Sequence, residues 1–305
     1  MAWHDVIRQQ SRRVIGGLRD PVKRGHVVAR IVEEMAGPLF LSGAGQWLWR
    51  KHLERLAERP RAAHRVAVLA HVYYPDLLDE ILACWRACPP GTGLLLTTIP
   101  QHEAELRTLT AGIGHVEIYV QDNRGRDIAP FLRVLNSGAL AGYDAVLKLH
   151  TKRSPHLLSG ARRRRLLYTA LAGNRLQVER VLARFDAPDT GVVGFAPSYR
   201  DTPFYWWTNK PRVTELCARM QPPAPVACSF FEGSMFWFRP MALEPLRRLD
   251  LASEDFEVVA GQLDGGLHHA VERVFNLAAA AAGYNVLSDS GRLLFSTQHA
   301  RATVS

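Results

Sequence analysis

The sequence predicts an α/β fold: a mostly parallel sheet with helices on both faces, preceded by a helical extension. Three observations carry that expectation. Five short apolar runs, starting at Val66, Gly93, Val116, Ala145 and Val192, alternate with segments whose apolar residues recur at helical spacing. The runs are continuous, as in strands buried on both faces. With 305 residues, 47% of them apolar and 22% charged, the chain can bury a sizeable core. The same composition excludes a disordered chain, a collagen-like protein, a disulfide scaffold and a coiled coil.

Residues 1–64 read as a basic helical extension. Val6, Ile7, Val14, Ile15 and Leu18, then Val27, Val28, Ile31 and Val32, recur near a 3.6-residue period. Pro21, Pro38 and Gly43 to Gly45 break the pattern, and Trp47, Trp49 and Leu53 continue it. Residues 1–65 hold 13 Lys and Arg against 6 Asp and Glu, whereas the remaining 240 hold 25 against 23. Arg8, Arg12, Arg13, Arg19 and Lys23 flank the apolar stripe, which suits a helix lying on an anionic membrane surface. The alternative is an appendage packed on the main domain with a solvated basic face. A nucleic-acid partner is not expected, because the basic excess is not spread over the folded module among aromatics. No apolar run reaches the length of a membrane span, and the first residues lack the layout of a secretory signal. Cys84, Cys88, Cys217 and Cys228 form no CxxC pair, so reduced thiols are expected. Together these features point to a cytoplasmic protein, peripheral on the inner face of the cytoplasmic membrane.

Residues 65–305 form the main domain. Strands are expected at 66–72, 93–98, 116–120, 145–149 and 192–196. Helices are expected at 76–87, 103–109 and 128–135, with one long helix over 162–185. After Pro197 the alternation stops. Residues 198–240 are rich in aromatics and prolines, and a terminal helix follows over 267–282. The domain thus divides into a regular half, 65–197, and an irregular half, 198–290.

In open α/β sheets ligands bind beyond the carboxyl ends of the strands, and here those ends are unusually polar. The first runs into His71 and the second into Thr97. The third leads to Asn123, Arg124, Gly125, Arg126 and Asp127, and the fourth to Lys148, His150, Thr151 and Lys152. Arginines before a helix start suit phosphate oxygens. Asp127 could cap that helix, hold an arginine or bind a sugar hydroxyl. Period-2 geometry sends Lys148, His150 and Lys152 to one side, which in a buried strand implies an anion such as a diphosphate. In the irregular half, Trp206 and Trp207 offer rings for stacking on sugars, and Gly233-Ser234 offers close backbone approach. Asp264 precedes Gly265-Gly266, which would keep space open before its carboxylate, and a lone carboxylate suffices as a general base. Asp255 and Glu257 are its rivals, and a plain helix cap is the alternative role.

These residues stand in familiar motifs. His71-Val72-Tyr73-Tyr74-Pro75-Asp76, Asn123-Arg124-Gly125-Arg126-Asp127-Ile128-Ala129-Pro130-Phe131, Lys148-Leu149-His150-Thr151-Lys152-Arg153-Ser154, Gly233-Ser234-Met235-Phe236-Trp237 and Asp264-Gly265-Gly266-Leu267-His268-His269-Ala270-Val271-Glu272-Arg273 resemble the rhamnan synthesis protein F family. The resemblance implies a glycosyltransferase, rhamnosyltransferase-like, of bacterial cell-wall polysaccharide or O-antigen assembly. It further implies dTDP-L-rhamnose or another nucleotide-diphosphate sugar as donor, and a lipid-linked glycan as acceptor. The motif order is similar to GT-A-like folds, with a Rossmann-type nucleotide-sugar half before an acceptor half.

On that comparison His71, Thr97, Asn123, Arg124, Gly125, Arg126, Asp127, Lys148, His150, Thr151 and Lys152 bind the donor. Trp206, Trp207, Glu232, Gly233, Ser234, Met235 and His268 meet the acceptor, and Asp264 is the base of an inverting transfer. One departure stands out: the position where such enzymes carry an Asp-x-Asp metal motif is occupied by Lys148 to Lys152. No cofactor is therefore expected with certainty. A divalent metal would have to use Asp122, Asp127 or Asp144. The competing expectation is a non-catalytic glycan-binding or scaffolding module of a polysaccharide assembly complex. A nicotinamide enzyme is disfavoured, since no G-x-G-x-x-G follows the first strand.

Overall fold

A computed structural model describes residues 35–153, 160–259 and 264–298. The amphipathic segment expected before residue 35 lies outside the described residues. The five apolar runs become β1 (Val66–His71), β2 (Gly93–Thr98), β3 (Val116–Val120), β4 (Ala145–His150) and β5 (Thr190–Gly194). Between them lie α2 (Leu78–Ala87), α3 (Glu103–Thr110), α4 (Ile128–Asn136), α5 (Gly160–Ala172) and α6 (Arg175–Leu182), preceded by α1 (Gly43–Leu56).

The long helix expected over 162–185 is two helices. Gly173 interrupts it, and Asn174 restarts it as an N-cap that accepts a hydrogen bond from Gln177 N at 3.0 Å. The break expected around Gly43–Gly45 falls at Ser42, between helical residues 35–41 and α1, and Ser42 Oγ accepts from Gly45 N. The expected terminal helix likewise divides, into α9 (Leu267–Glu272) and α10 (Phe275–Ala281). Before these come α7 (Lys210–Arg219) and the short α8 (Glu244–Arg247).

The irregular half does not leave the sheet, as the loss of alternation suggested. β8 (Phe236–Phe238) inserts antiparallel between β4 and β5, while β9 (Asn285–Ser288) pairs parallel with β5 and carries the antiparallel β10 (Leu293–Phe295). The sheet therefore has eight strands in the order β10-β9-β5-β8-β4-β1-β2-β3. β6 (Tyr199–Arg200) and β7 (Phe230–Phe231) form a separate ribbon. Phe236, Trp237 and Phe238 are fully buried, and a central position is where a three-residue aromatic strand can bury both faces.

Strand periodicity sorts the core into two layers. Ala67, Leu69, Leu95 and Val146 face α4 and α10, whereas Val68, Ala70, Leu94, Leu147 and Leu149 face α2, α5 and α6. Lys148 and His150 have the parity of Val146, and His71 that of Leu69. The polar strand ends therefore point to the α4 side.

The extension is tied to the main domain at α6. Glu58 accepts from Arg180 and Arg184, and the Arg180 guanidinium lies 5.6 Å from the Trp49 ring centroid. No helix among the described residues is long and apolar enough to cross a membrane.

Candidate active site at the strand ends

Sheet register aligns the polar groups. His71 of β1 is the Cα partner of both His150 on β4 and Thr97 on β2, so three strand ends present a row at one level. His71 Nδ1 lies 3.0 Å from Thr97 Oγ1. Thr151 serves the backbone, its Oγ1 accepting from Tyr73 N at 2.9 Å and Tyr74 N at 3.0 Å.

Lys148 is only 1% exposed, and its ammonium is fully engaged within the protein. It donates to Asp127 Oδ2 at 2.7 Å, to the Ser234 carbonyl at 2.8 Å and to Ser234 Oγ at 2.9 Å. The rings of Phe131, Phe275 and Phe236 surround it at 5.3–6.0 Å. The anion anticipated for this lysine is thus a carboxylate of the chain itself. A buried ammonium without a partner is costly, and all three of its N–H bonds are matched here.

Asp127 in turn finds its partner in a lysine, a role outside those expected from sequence. It occupies the N-cap position of α4 without a side-chain cap hydrogen bond, and turns to Lys148 instead. Burial works to raise its carboxyl, but the nearby His150 and Lys148 more than reverse this and hold it well below the usual range. His150, with Nδ1 3.3 Å from Asp127 Oδ2, is pushed down to about 3, first by burial, so at neutral pH Lys148 is the charge that keeps Asp127 ionised. His71 is pushed down to about 4 by the same cause. The Asp127 side chain keeps 16% of its surface, and Oδ1 has no hydrogen-bond partner among the described residues.

The loop before α4 turns sharply. Gly125 and Arg126 both have positive φ, at 60° and 55°, and a Cβ on Gly125 would lie 2.7 Å from Ala129 and Phe256. Asn123 is half-buried. Arg124 donates to the Phe256 carbonyl at 3.0 Å, while Arg126 and Lys152 are half-buried around the strand ends.

On the acceptor side the expected residues separate. Trp206 and Met235 belong to the core. Glu232 is clamped by Arg200 at 2.6 Å and Arg163 at 2.9 Å, so its carboxylate serves an ion-pair network. Trp207 is 57% exposed with a positive φ of 47°, and Arg273 lies 5.6 Å from its ring. Ser234, also at positive φ, holds Lys148.

Asp264 is held as a cap, although not of its own helix. Its carboxylate accepts from Thr208 N at 3.0 Å, Thr208 Oγ1 at 2.7 Å and Asn209 Nδ2, just before α7. Burial raises its carboxyl, and these hydrogen bonds outweigh it and leave it below the usual value. The space beside the two glycines is filled. A Cβ on Gly265 would meet Thr208 Oγ1 at 3.3 Å, and one on Gly266 would meet His268 Cε1 at 2.7 Å. Glu257 accepts from Leu267 N at 2.9 Å and Arg212 at 2.6 Å, and Asp255 accepts from Ala252 N at 2.8 Å. All three carboxylates considered from sequence are therefore tied to backbone.

A fourth carboxylate, Glu272, stands within the Asp264–Arg273 motif. At the end of α9 its Oε1 accepts from Gly233 N at 3.1 Å, while Oε2 makes no hydrogen bond among the described residues. Burial pushes its carboxyl above the usual value, against the opposing pull of Arg273 and Lys152. The signal that could have found it is its place between buried Val271 and Arg273 on a short apolar helix, where a carboxylate needs a reason. His268 is buried with both ring nitrogens unpartnered among the described residues, and burial pushes it down to about 4.

As for a metal, Asp144 accepts from Arg65 N at the opposite end of β4 and cannot share this site. Among the described residues no group of three or more His, Cys, Asp or Glu is arranged to hold a metal ion.

The motifs quoted from the sequence agree with direct comparison. The family model of rhamnan synthesis protein F matches residues 27–284. The chain belongs to the rhamnan synthesis protein F family. Membership links it to polysaccharide synthesis. Two proteins named Uncharacterized protein WxcX, from Xanthomonas campestris pv. campestris strains B100 and ATCC 33913, are each 35% identical over 222 residues, 72% of this chain and 32% of theirs. The chain thus spans about a third of the length of the curated relatives it matches.

Proposed function

We propose that this protein is a glycosyltransferase of GT-A-like fold. In this reading it moves a sugar, L-rhamnose from dTDP-L-rhamnose, to a lipid-linked glycan acceptor with inversion at the anomeric carbon. The observation that carries the reading is the pairing of a polar row at the β1, β2 and β4 ends with an under-bonded carboxylate, Glu272, on the facing acceptor-side helix. The acceptor hydroxyl attacks the anomeric carbon as its bond to the nucleotide diphosphate breaks. Glu272 takes the hydroxyl proton, a role suited to a carboxyl that burial raises above its usual value. Arg126 and Lys152 face the departing diphosphate, and Asp127, held by Lys148 through Oδ2, receives a sugar hydroxyl at Oδ1. Trp207 stacks on the acceptor.

Calorimetric titration with a panel of nucleotide-diphosphate sugars tests this reading. Binding of dTDP-L-rhamnose, weakened by Asp127→Asn, is expected. The competing reading, a non-catalytic glycan-binding or scaffolding module, draws support from the internal neutralisation of Lys148. It would prevail if glycans bound and no nucleotide sugar did.

A further inference from the structure

We infer that the outward face of residues 35–56 seats this protein on an anionic lipid bilayer. Of eleven exposed large apolar side chains among the described residues, five (Met35, Leu39, Trp47, Leu48 and Leu56) fall in these 22 positions. Single exposed apolar residues are ordinary, but a cluster marks an interaction surface. α1 cannot bury this face by rolling inward, because its other edge is already committed. Leu53 is buried, Arg180 lies over Trp49, and Glu58 just beyond the helix is held by Arg180 and Arg184. Trp47 and Leu48 remain 58% and 61% exposed, and Leu48 lines a shallow groove with Leu39, Phe40, Ala44 and His52.

Charge selects the occupant. Residues 35–56 contain a single acid, Glu54, paired with Lys51 at 2.7 Å, against the exposed cations Arg50, Lys51 and Arg55. A second copy docking through the same face would set these cations against each other, with Glu54, already held by Lys51, as the one acid to meet them. Residues 1–34, with seven basic and four acidic side chains, bring the same sign. An anionic headgroup layer over hydrocarbon meets both features at once: indole at the interface, cations at the phosphates.

The full chain should co-sediment with vesicles of phosphatidylcholine and phosphatidylglycerol at low salt, at least about tenfold more tightly than with phosphatidylcholine alone. Trp47→Ala/Leu48→Ala and Arg50→Glu/Lys51→Glu should each reduce that binding by about tenfold, with thermal melts confirming folding. Nucleotide-sugar affinity of the same variants should stay at the wild-type value, which separates this surface from the transferase reading. Unchanged vesicle binding by both double variants overturns the proposal. So does loss of binding in Arg12→Glu/Arg13→Glu with none in Trp47→Ala/Leu48→Ala, which would place the anchor before residue 35. Light scattering that finds a dimer converted to monomer by Trp47→Ala/Leu48→Ala would assign the face to a second copy instead.

Discussion

At the end of β4 a buried ammonium meets a carboxylate, a hydroxyl and a carbonyl, whereas on α9 a half-buried carboxylate meets one backbone N–H. The two regions share the Gly233-Ser234 turn, which binds Lys148 through Ser234 and Glu272 through Gly233. One side is neutralised and fully hydrogen-bonded, and the other keeps an oxygen without a partner among the described residues. The contrast shows that a charged residue in a conspicuous place need not be the reactive one. A lysine with three matched donors organises, and a carboxylate with unmet capacity is available for proton transfer.

The largest expected effect breaks the comparison on the α9 side. Glu272→Gln should cut turnover by about 10²–10⁴-fold while leaving donor affinity and stability near wild type. The acidic limb of the turnover profile should lie above the ordinary glutamate value and disappear in the variant. Normal turnover in Glu272→Gln would return the base to another carboxylate.

Next, Lys148→Met should destabilise the fold by about 3–5 kcal/mol, because Asp127 is left charged and unpaired. Chemical denaturation measures the loss, and Lys148→Met/Asp127→Leu should recover much of it. A Lys148→Met protein of unchanged stability but at least about tenfold weaker nucleotide binding would make the lysine a donor ligand after all.

A smaller effect appears with pH. His71 and His268, both at about 4, and His150 and His269, both at about 3, lie below the unfolded imidazole value of 6.5. Below pH 6.5 the unfolded chain takes up protons that the folded one refuses, so stability is complete above that pH and declines as pH falls toward 4. Each imidazole contributes up to about 1.4 kcal/mol per pH unit. Glu272 and Asp289, raised by burial, act in the opposite sense and soften the decline. Urea midpoints at pH 7.5 and pH 5 measure it, and equal midpoints would contradict the buried-neutral state of these rings.

The smallest effect sharpens the assignment. Asp264→Asn should cost about 1 kcal/mol of stability through the weakened cap at Thr208 and leave turnover near wild type. A turnover loss as large as that of Glu272→Gln would restore Asp264 as the base.

Much of the fold was legible because β1 to β5 are continuous apolar runs and the helices between them keep a 3.6-residue period, both local properties of the chain. β8 was not, since three aromatic residues in a row carry no mark of antiparallel pairing with β4 and β5. The break at Gly173-Asn174 was written in ordinary stop and start residues and was overridden by the apolar spacing on either side.

For the site, residue types at strand ends are set by composition and period alone. Lys148 and His150 fall on one face because strand side chains alternate. Which groups neutralise one another depends on pairs 21 and 86 residues apart, Lys148 with Asp127 and with Ser234, brought together by sheet register and the position of β8. Asp264 and Glu272 look alike as lone acids before and within a helix. Only the tertiary structure surrounds the first with Thr208 and Asn209 and leaves the second one hydrogen bond among the described residues, because a carboxylate's chemistry is decided by the donors that reach it.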